Sequence, residues 1–349
     1  MNMLLATARK TLTLYGSALT LGLTAAFVSA PVAAEETITW RVQSHWPGAS
    51  SSYKDSLGRL KEVLEERTDG RLKLDLYESG SLFKPKETFN AVSRGILEMG
   101  TISPAYAQDK ISLAGVASGL PLAFQTPAEA AYFHMAMGFE DMLREEAAEH
   151  DVYWATDKVY QTEMVVKEPI ESIEDLKKLK IRSSGALEKF LDEAGASTSY
   201  IDGGELYSAL DSGIVDGAHW GAAQGAYSMS LYEVAKYHVK PSLNVAGTDV
   251  IIVSQKALDK LPKEMQATVK DALKEQFWVR TNEYEHKEKV TLQKAIEEEG
   301  VEINNLPQDV QDEMLKAAQV IWDEEAERSD NAKKAVEMVK EYLTQLGRM

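Results

Sequence analysis

The chain of 349 residues contains no cysteine. Disulfides, thiolate metal sites, thiol nucleophiles and a lipid on an N-terminal cysteine are therefore excluded, and the fold has to be held by hydrophobic burial. Histidine is scarce as well. His45, His134, His150, His219, His238 and His286 are the whole complement, and none pairs with another at metal-ligand spacing. No Gly-x-Ser-x-Gly elbow, His-Glu-x-x-His, phosphate loop or Gly-x-Gly-x-x-Gly is present. Positive charge is the minority, with 38 Lys and Arg against 55 Asp and Glu, a net of −17. That balance argues against nucleic acid or an anionic membrane surface as partner. Any anion site must then be local, made by a few groups such as a buried arginine or a helix N-terminus.

Long apolar runs are missing after the first 34 residues. Within them, Arg9 and Lys10 precede an apolar stretch over residues 12–28, broken by Tyr15, Gly16 and Ser17, and small residues lead up to Ala34. This is the pattern of a secretory signal peptide, residues 1–34, with cleavage expected after Ala34. The stretch is short and interrupted compared with the ~20 residues of a membrane-spanning helix. An exported, soluble periplasmic protein is the expectation, not embedded in the membrane. The remaining length exceeds one comfortable core and predicts two domains.

Residues 37–44 alternate as a strand, 51–68 have helical periodicity, 72–77 alternate again, 87–94 suit a short helix and 95–103 another strand. This β-α-β-α-β order implies a parallel sheet covered by helices. A long helix is expected over 126–150, short strands at 152–154, 163–167, 180–183 and 215–218, and a long segment over 219–237. Residues 248–254 form a continuous apolar strand, and from Lys256 the chain reads as helical, with breaks at Pro262, Gly300 and Pro307. No repeat or low-complexity linker separates two halves, so several chain crossings should join the lobes. The fold class is α/β.

The informative stretch contains Pro169-Ile170, Asp175-Leu176 running to Arg182, Ala194-Gly195-Ala196, Glu205-x-Tyr-x-Ala-Leu running to Val215-Asp216-Gly217, and Glu233 to Tyr237. Over about seventy residues this spacing resembles the DctP-type substrate-binding proteins of tripartite ATP-independent periplasmic (TRAP) transporters. The resemblance implies a two-lobed, Venus-flytrap periplasmic binding protein with a long helix spanning both lobes. Lobe I would take residues 35–158 and 247–285, and lobe II residues 159–246 and 286–349. It also implies hinge closure around a small organic acid and a partnership with the membrane permease subunits of a TRAP transporter. No catalytic residues are expected, and the protein is expected to be a monomer. A receptor for an ABC transporter and a periplasmic enzyme acting on the same acid are the rival readings.

Arg182 is the only arginine in a lysine-rich stretch, and its planar fork matches a carboxylate. The resemblance implies that it makes the ligand salt bridge. In relatives that take α-keto acids, a Glu-Trp pair and a nearby Gln hold sodium or calcium beside the substrate. Here His219 stands in the place of that glutamate. Hard cations want oxygen ligands, so no metal or other cofactor is expected, and Trp220 becomes an aromatic wall. Tyr160 and Gln161 fall where many relatives have a second arginine. One arginine plus Gln161 points to a monocarboxylate: a keto, hydroxy or aromatic acid. Trp46 and Tyr106 follow predicted strands, where open parallel sheets bind ligands. His45 and Asn244 complete the candidates.

Overall fold

The computed structural model describes residues 37–349. The expected leader, residues 1–34, lies outside them. Among the described residues there are eleven strands: β1 Ile38–Gln43, β2 Leu72–Tyr77, β3 Met99–Ile102, β4 Val152–Thr162, β5 Met164–Val166, β6 Lys180–Arg182, β7 Ser197–Ser199, β8 Gly217–His219, β9 Tyr237–Lys240, β10 Asn244–Ser254 and β11 Glu302–Asn305. They form two sheets, ordered β2-β1-β3-β10-β4 and β11-β9-β5-β8-β6-β7. In the first, β1 runs parallel to β2 and β3, as the β-α-β order predicts. In both sheets antiparallel pairs complete the order, with β10 against β3 and β4, and β5 against β8 and β9.

Each sheet is covered on both faces, which is why its central strands are apolar without alternation. Along β10, Val250 and Ile252 enter one core while Ile251 and Val253 enter another. Met164 and Val166 of β5 face a third core and Val165 a fourth. The chain passes between lobes where β4 gives way to β5 and where β9 gives way to β10. It crosses again along the helix Lys263–Glu299, which packs Val269 and Leu273 in lobe I and Ala295 in lobe II. Among the described residues no helix is long and apolar enough to cross a membrane.

Several boundaries differ from expectation. The helix expected over 126–150 is two, Pro127–Met135 and Phe139–Ala148, because Gly138 turns left-handed at φ 90°. Residues 95–98 are a turn ahead of β3, opened by Gly95 at φ 71°. The segment 219–237 holds only the short helix Ala223–Ser228 and a 3₁₀ turn between β8 and β9. The expected strand at 152–154 extends to Thr162, because β10 pairs along its whole length. The C-terminal helix Asp330–Gln345 returns to lobe I, where Val336, Val339 and Leu343 join its core. The expected assignment of all of 286–349 to lobe II therefore stops at the helix Gln308–Ala326, whose Met314 and Ile321 pack in lobe II.

Candidate functional site

The strand ends of the two sheets converge on one cleft, with an empty volume of about 750 Å³. Lobe I contributes His45 and Trp46 after β1, Ser103 and Tyr106 after β3, Tyr160 and Thr162 of β4, and Thr248 and Asp249 of β10. Lobe II contributes Arg182 at the end of β6, Ser184, and His219 and Trp220 at the end of β8. Ligands of open α/β sheets bind at such carboxyl ends.

Arg182 is 2% exposed. β6 lies between β7 and β8, and this pairing fixes the base of the side chain. Its Nε donates to the Ile201 carbonyl at 3.0 Å and one terminal nitrogen to the His219 carbonyl at 2.9 Å. Its guanidinium carbon lies 5.1 Å from the Trp220 ring centroid and 5.8 Å from that of Tyr200. Among the described residues no carboxylate is within 4.0 Å of it, so the groups in direct contact with its charge are carbonyls and ring faces. A buried charge in that state calls for a counter-ion.

Trp220 is set by two glycines. A Cβ on Gly203 would lie 2.3 Å from the ring, and Gly221, at φ 68°, leaves room for the Tyr284 hydroxyl. Burial and the charge of Arg182 push the His219 imidazole down to about 3, so it is neutral, and its Nε2 meets Ser183 Oγ at 2.9 Å.

In lobe I the Thr101 hydroxyl accepts from the His45 amide at 3.1 Å and lies 2.8 Å from His45 Nδ1. On the other side of the ring Nε2 lies 3.3 Å from Asp249 Oδ1, and since an ionised carboxylate only accepts, Nε2 is the donor in that contact. The Tyr160 hydroxyl reaches the same oxygen at 3.3 Å. The other oxygen, Oδ2, accepts from Lys158 at 2.6 Å. Burial pushes the Asp249 carboxyl up, but Lys158 and His45 outweigh it and hold it well below the usual carboxylate range. Lys158 is itself fully buried, 4.8 Å from the centroid of Trp46 and 5.3 Å from that of Tyr284.

Of the expected residues, Arg182, Trp220, His219, Tyr160, Tyr106, Trp46 and His45 line the cleft together. Gln161 does not. Tyr160 and Thr162 point inward, and strand alternation sends the residue between them to the other face. Asn244 lies behind the wall, its amide 3.5 Å and 3.4 Å from the carbonyls of Ser118 and Gly119. Sequence reasoning missed Asp249, Lys158 and Tyr284. The available signal was charge inside apolar strands: Asp157-Lys158 in β4 and Asp249 in β10.

The family profile described as bacterial extracellular solute-binding protein, family 7, DctP, matches residues 43–329. The chain belongs to the DctP family. The family consists of solute-binding receptors, as the resemblance of residues 169–237 implied. A monocarboxylate 2-oxoacid-binding periplasmic protein of Nostoc sp. is 24% identical over 311 residues, 88% of this chain and 85% of the relative. A TRAP transporter solute-binding protein of Bordetella bronchiseptica, solved with calcium and picolinate, superposes with a TM-score of 0.81 at 23% identity, covering 89% of this chain and 93% of that one. One of Pseudoalteromonas atlantica, with sodium and pyruvate, gives 0.81 at 23% identity over 89% and 95% of the two chains. The shared fold is the two-lobed α/β arrangement with its long helix.

The cations in those two structures raise the question whether this cleft suits one. Where oxygen ligands would be needed it presents the neutral His219 ring, engaged by Ser183 and adjacent to the Arg182 charge. Among the described residues no group of three or more His, Cys, Asp or Glu could hold a metal ion. At this position an imidazole engaged by Ser183 stands in place of the oxygen ligand a hard cation prefers.

Proposed function

We propose that this protein is a periplasmic receptor that captures a small organic monocarboxylate between its lobes and delivers it to the membrane subunits of a TRAP transporter, without catalysis. The observation that carries this reading is Arg182, a buried arginine lining the cleft with no ion pair among the described residues. A ligand carboxylate is the counter-ion it lacks. The family, the periplasmic relatives and the small acids bound in structurally similar proteins support the same reading. Binding is cation-independent on this reading, because the donors around Arg182 and His219 are nitrogen and carbonyl groups already engaged.

Capture follows from the two-sided lining. Arg182, His219 and Trp220 belong to lobe II, and Trp46, Tyr106 and Asp249 to lobe I. A ligand touching both lobes stabilises only the conformation in which both are in reach, and that difference shifts the population. A thermal-shift screen of purified protein against organic acids, with and without sodium and calcium, tests the proposal. Saturation at a hundredfold over Kd adds ~2.7 kcal/mol of stability. Shifts by acids that vanish in Arg182→Ala are expected. A shift that demands a cation would overturn the cation-independent reading, and no shift with any acid after unfolding and refolding would remove the receptor reading.

A further inference from the structure

The two walls of the cleft differ in what they leave for a ligand. Lobe II leaves a cation. In lobe I several donors are already committed within the protein. His45 Nε2 and the Tyr160 hydroxyl both face Asp249 Oδ1. The Tyr106 ring meets that of Tyr200 edge-on, centroids 6.0 Å apart, and the Tyr200 hydroxyl donates to Asp202 at 2.5 Å. Thr248 donates to the Ala117 carbonyl and Ser118 to the Ala114 carbonyl. Hydroxyls of Ser50, Ser51, Ser52, Ser103 and Thr162 also line the cleft, but among the described residues its one carboxylate is Asp249. Asp249 lines the cleft. Its two contacts at Oδ1, 3.3 Å each, are long beside the ~2.5–2.9 Å of charge-assisted bonds. An ionised carboxylate has about four acceptor sites; three are engaged here, two of them at long range, so a ligand donor can take the fourth or replace a long contact. Tyr106 links the two: its ring centroid lies 6.1 Å from that of His45, which faces Asp249, and 6.0 Å from that of Tyr200, which faces Arg182.

Building on the carboxylate-receptor reading, we propose that Asp249 determines specificity. The ligand carries a hydrogen-bond donor, a hydroxyl or amino group, near its carboxylate. It gives its carboxylate to Arg182 of lobe II and its donor to Asp249 of lobe I. A 2-oxo acid turns lone pairs toward Asp249, and a dicarboxylate brings a second negative charge against it. Both are refused. The same bridging contact ties donor recognition to closure, because only a ligand reaching both groups spans the lobes.

Calorimetry on the full chain, refolded to strip bound ligand, tests this with skeleton-matched acids. Lactate, alanine, pyruvate and propionate form one set, and 3-phenyllactate, phenylalanine, phenylpyruvate and 3-phenylpropionate a larger one. In whichever set binds, the hydroxy or amino member should bind at least ~10-fold tighter than the oxo and unsubstituted members. The first two members also distinguish hydroxyl from ammonium as the donor. Asp249→Asn, whose amide can donate, should bring the ratio between donor-bearing and oxo acids to near one. Tyr160→Phe, which removes a competing donor from Oδ1, should keep or raise the preference, and it remains informative should Asp249→Asn fold poorly. An oxo acid binding as tightly as its hydroxy and amino partners, or a preference unchanged in Asp249→Asn, overturns the proposal while leaving the receptor reading intact. Binding of no acid at all removes the receptor reading instead.

Discussion

Lys158 Nζ lies 2.6 Å from Asp249 Oδ2 and 3.1 Å from Asp157 Oδ2, with the lysine side chain fully buried. The register of β4 and β10 makes this possible. Asp249 pairs with Lys158, but the next residue, Val250, pairs with Thr156, so Asp157 is a bulge that turns two consecutive side chains into the interior. The lysine therefore joins the two lobe I strands that form the cleft floor. Removing one partner of such a group leaves the other charge buried and unmatched. Lys158→Met should destabilise the protein by roughly 3–5 kcal/mol in urea unfolding. A loss below about 1 kcal/mol would show that the two aspartates are adequately solvated without it.

Ligand affinity should depend on the shape of the Arg182 side chain as well as on its charge. Nε and one terminal nitrogen are committed to Ile201 and His219, and this orients the fork. Arg182→Ala should weaken binding of the cognate acid by about 3 kcal/mol, more than a hundredfold. Arg182→Lys should recover only part of this, because an ammonium cannot span two carbonyls and a carboxylate in the same plane. Titration calorimetry on the three proteins reads this directly, with matched thermal melting to show that the fold persists.

Arg182 was legible in the sequence because its motif has fixed spacing and because one arginine among lysines is a chemical choice. The apolar runs in β5 and β10 were legible because strands covered on both faces carry no polar alternation. Gln161 was misplaced by one residue, which in a strand is a whole face: Tyr160 and Thr162 reach the cleft and Gln161 cannot. Asp249 was hidden for a different reason. Its partners are His45, just after β1, and Lys158 and Tyr160 of β4, up to 204 residues away in sequence, so a charge inside an apolar strand marked it without showing what it pairs with. Pairings of that range exist only once the sheet is assembled.

Two buried glutamates at the lobe junction should give stability opposite pH dependences. Burial pushes the Glu163 carboxyl up, but His238 and Lys240 outweigh it and bring it down to about 2. Its folded value is below its unfolded one, so its contribution is present above pH ~4.5 and lost as pH falls toward 2. Burial pushes Glu288 up to about 8, with Glu163 adding to the shift and the Gln224 amide opposing it. Its folded value is above its unfolded one, so its contribution is full below pH ~4.5 and lost as pH rises through 8. Glu163→Gln should flatten the acid limb of a stability–pH curve. Glu288→Gln should flatten the span from pH 5 to 8 and raise stability at its upper end. Parallel limbs in wild type and Glu288→Gln would show that this carboxyl ionises freely when folded.

The lobes also touch each other directly. Lys86 of lobe I places Nζ 3.7 Å from the ring centroid of Tyr200 in lobe II, and Asp55 meets Gln224 at 3.4 Å. Both contacts require the lobes to be together, and the Tyr200 ring that meets Lys86 also faces Arg182 at 5.8 Å. An exposed cation–π contact contributes about 0.5–1 kcal/mol, and a term confined to the ligand-holding conformation passes into affinity in full. Lys86→Met, which keeps the length and apolar stem, should weaken binding about 2- to 5-fold. The loss should appear as faster ligand release, since closure follows encounter. The melting temperature of the ligand-free protein should barely move. Stopped-flow release rates separate the outcomes: a faster off-rate with an unchanged on-rate assigns Lys86 to holding the lobes together, whereas a slower on-rate alone would assign it to attracting the anion.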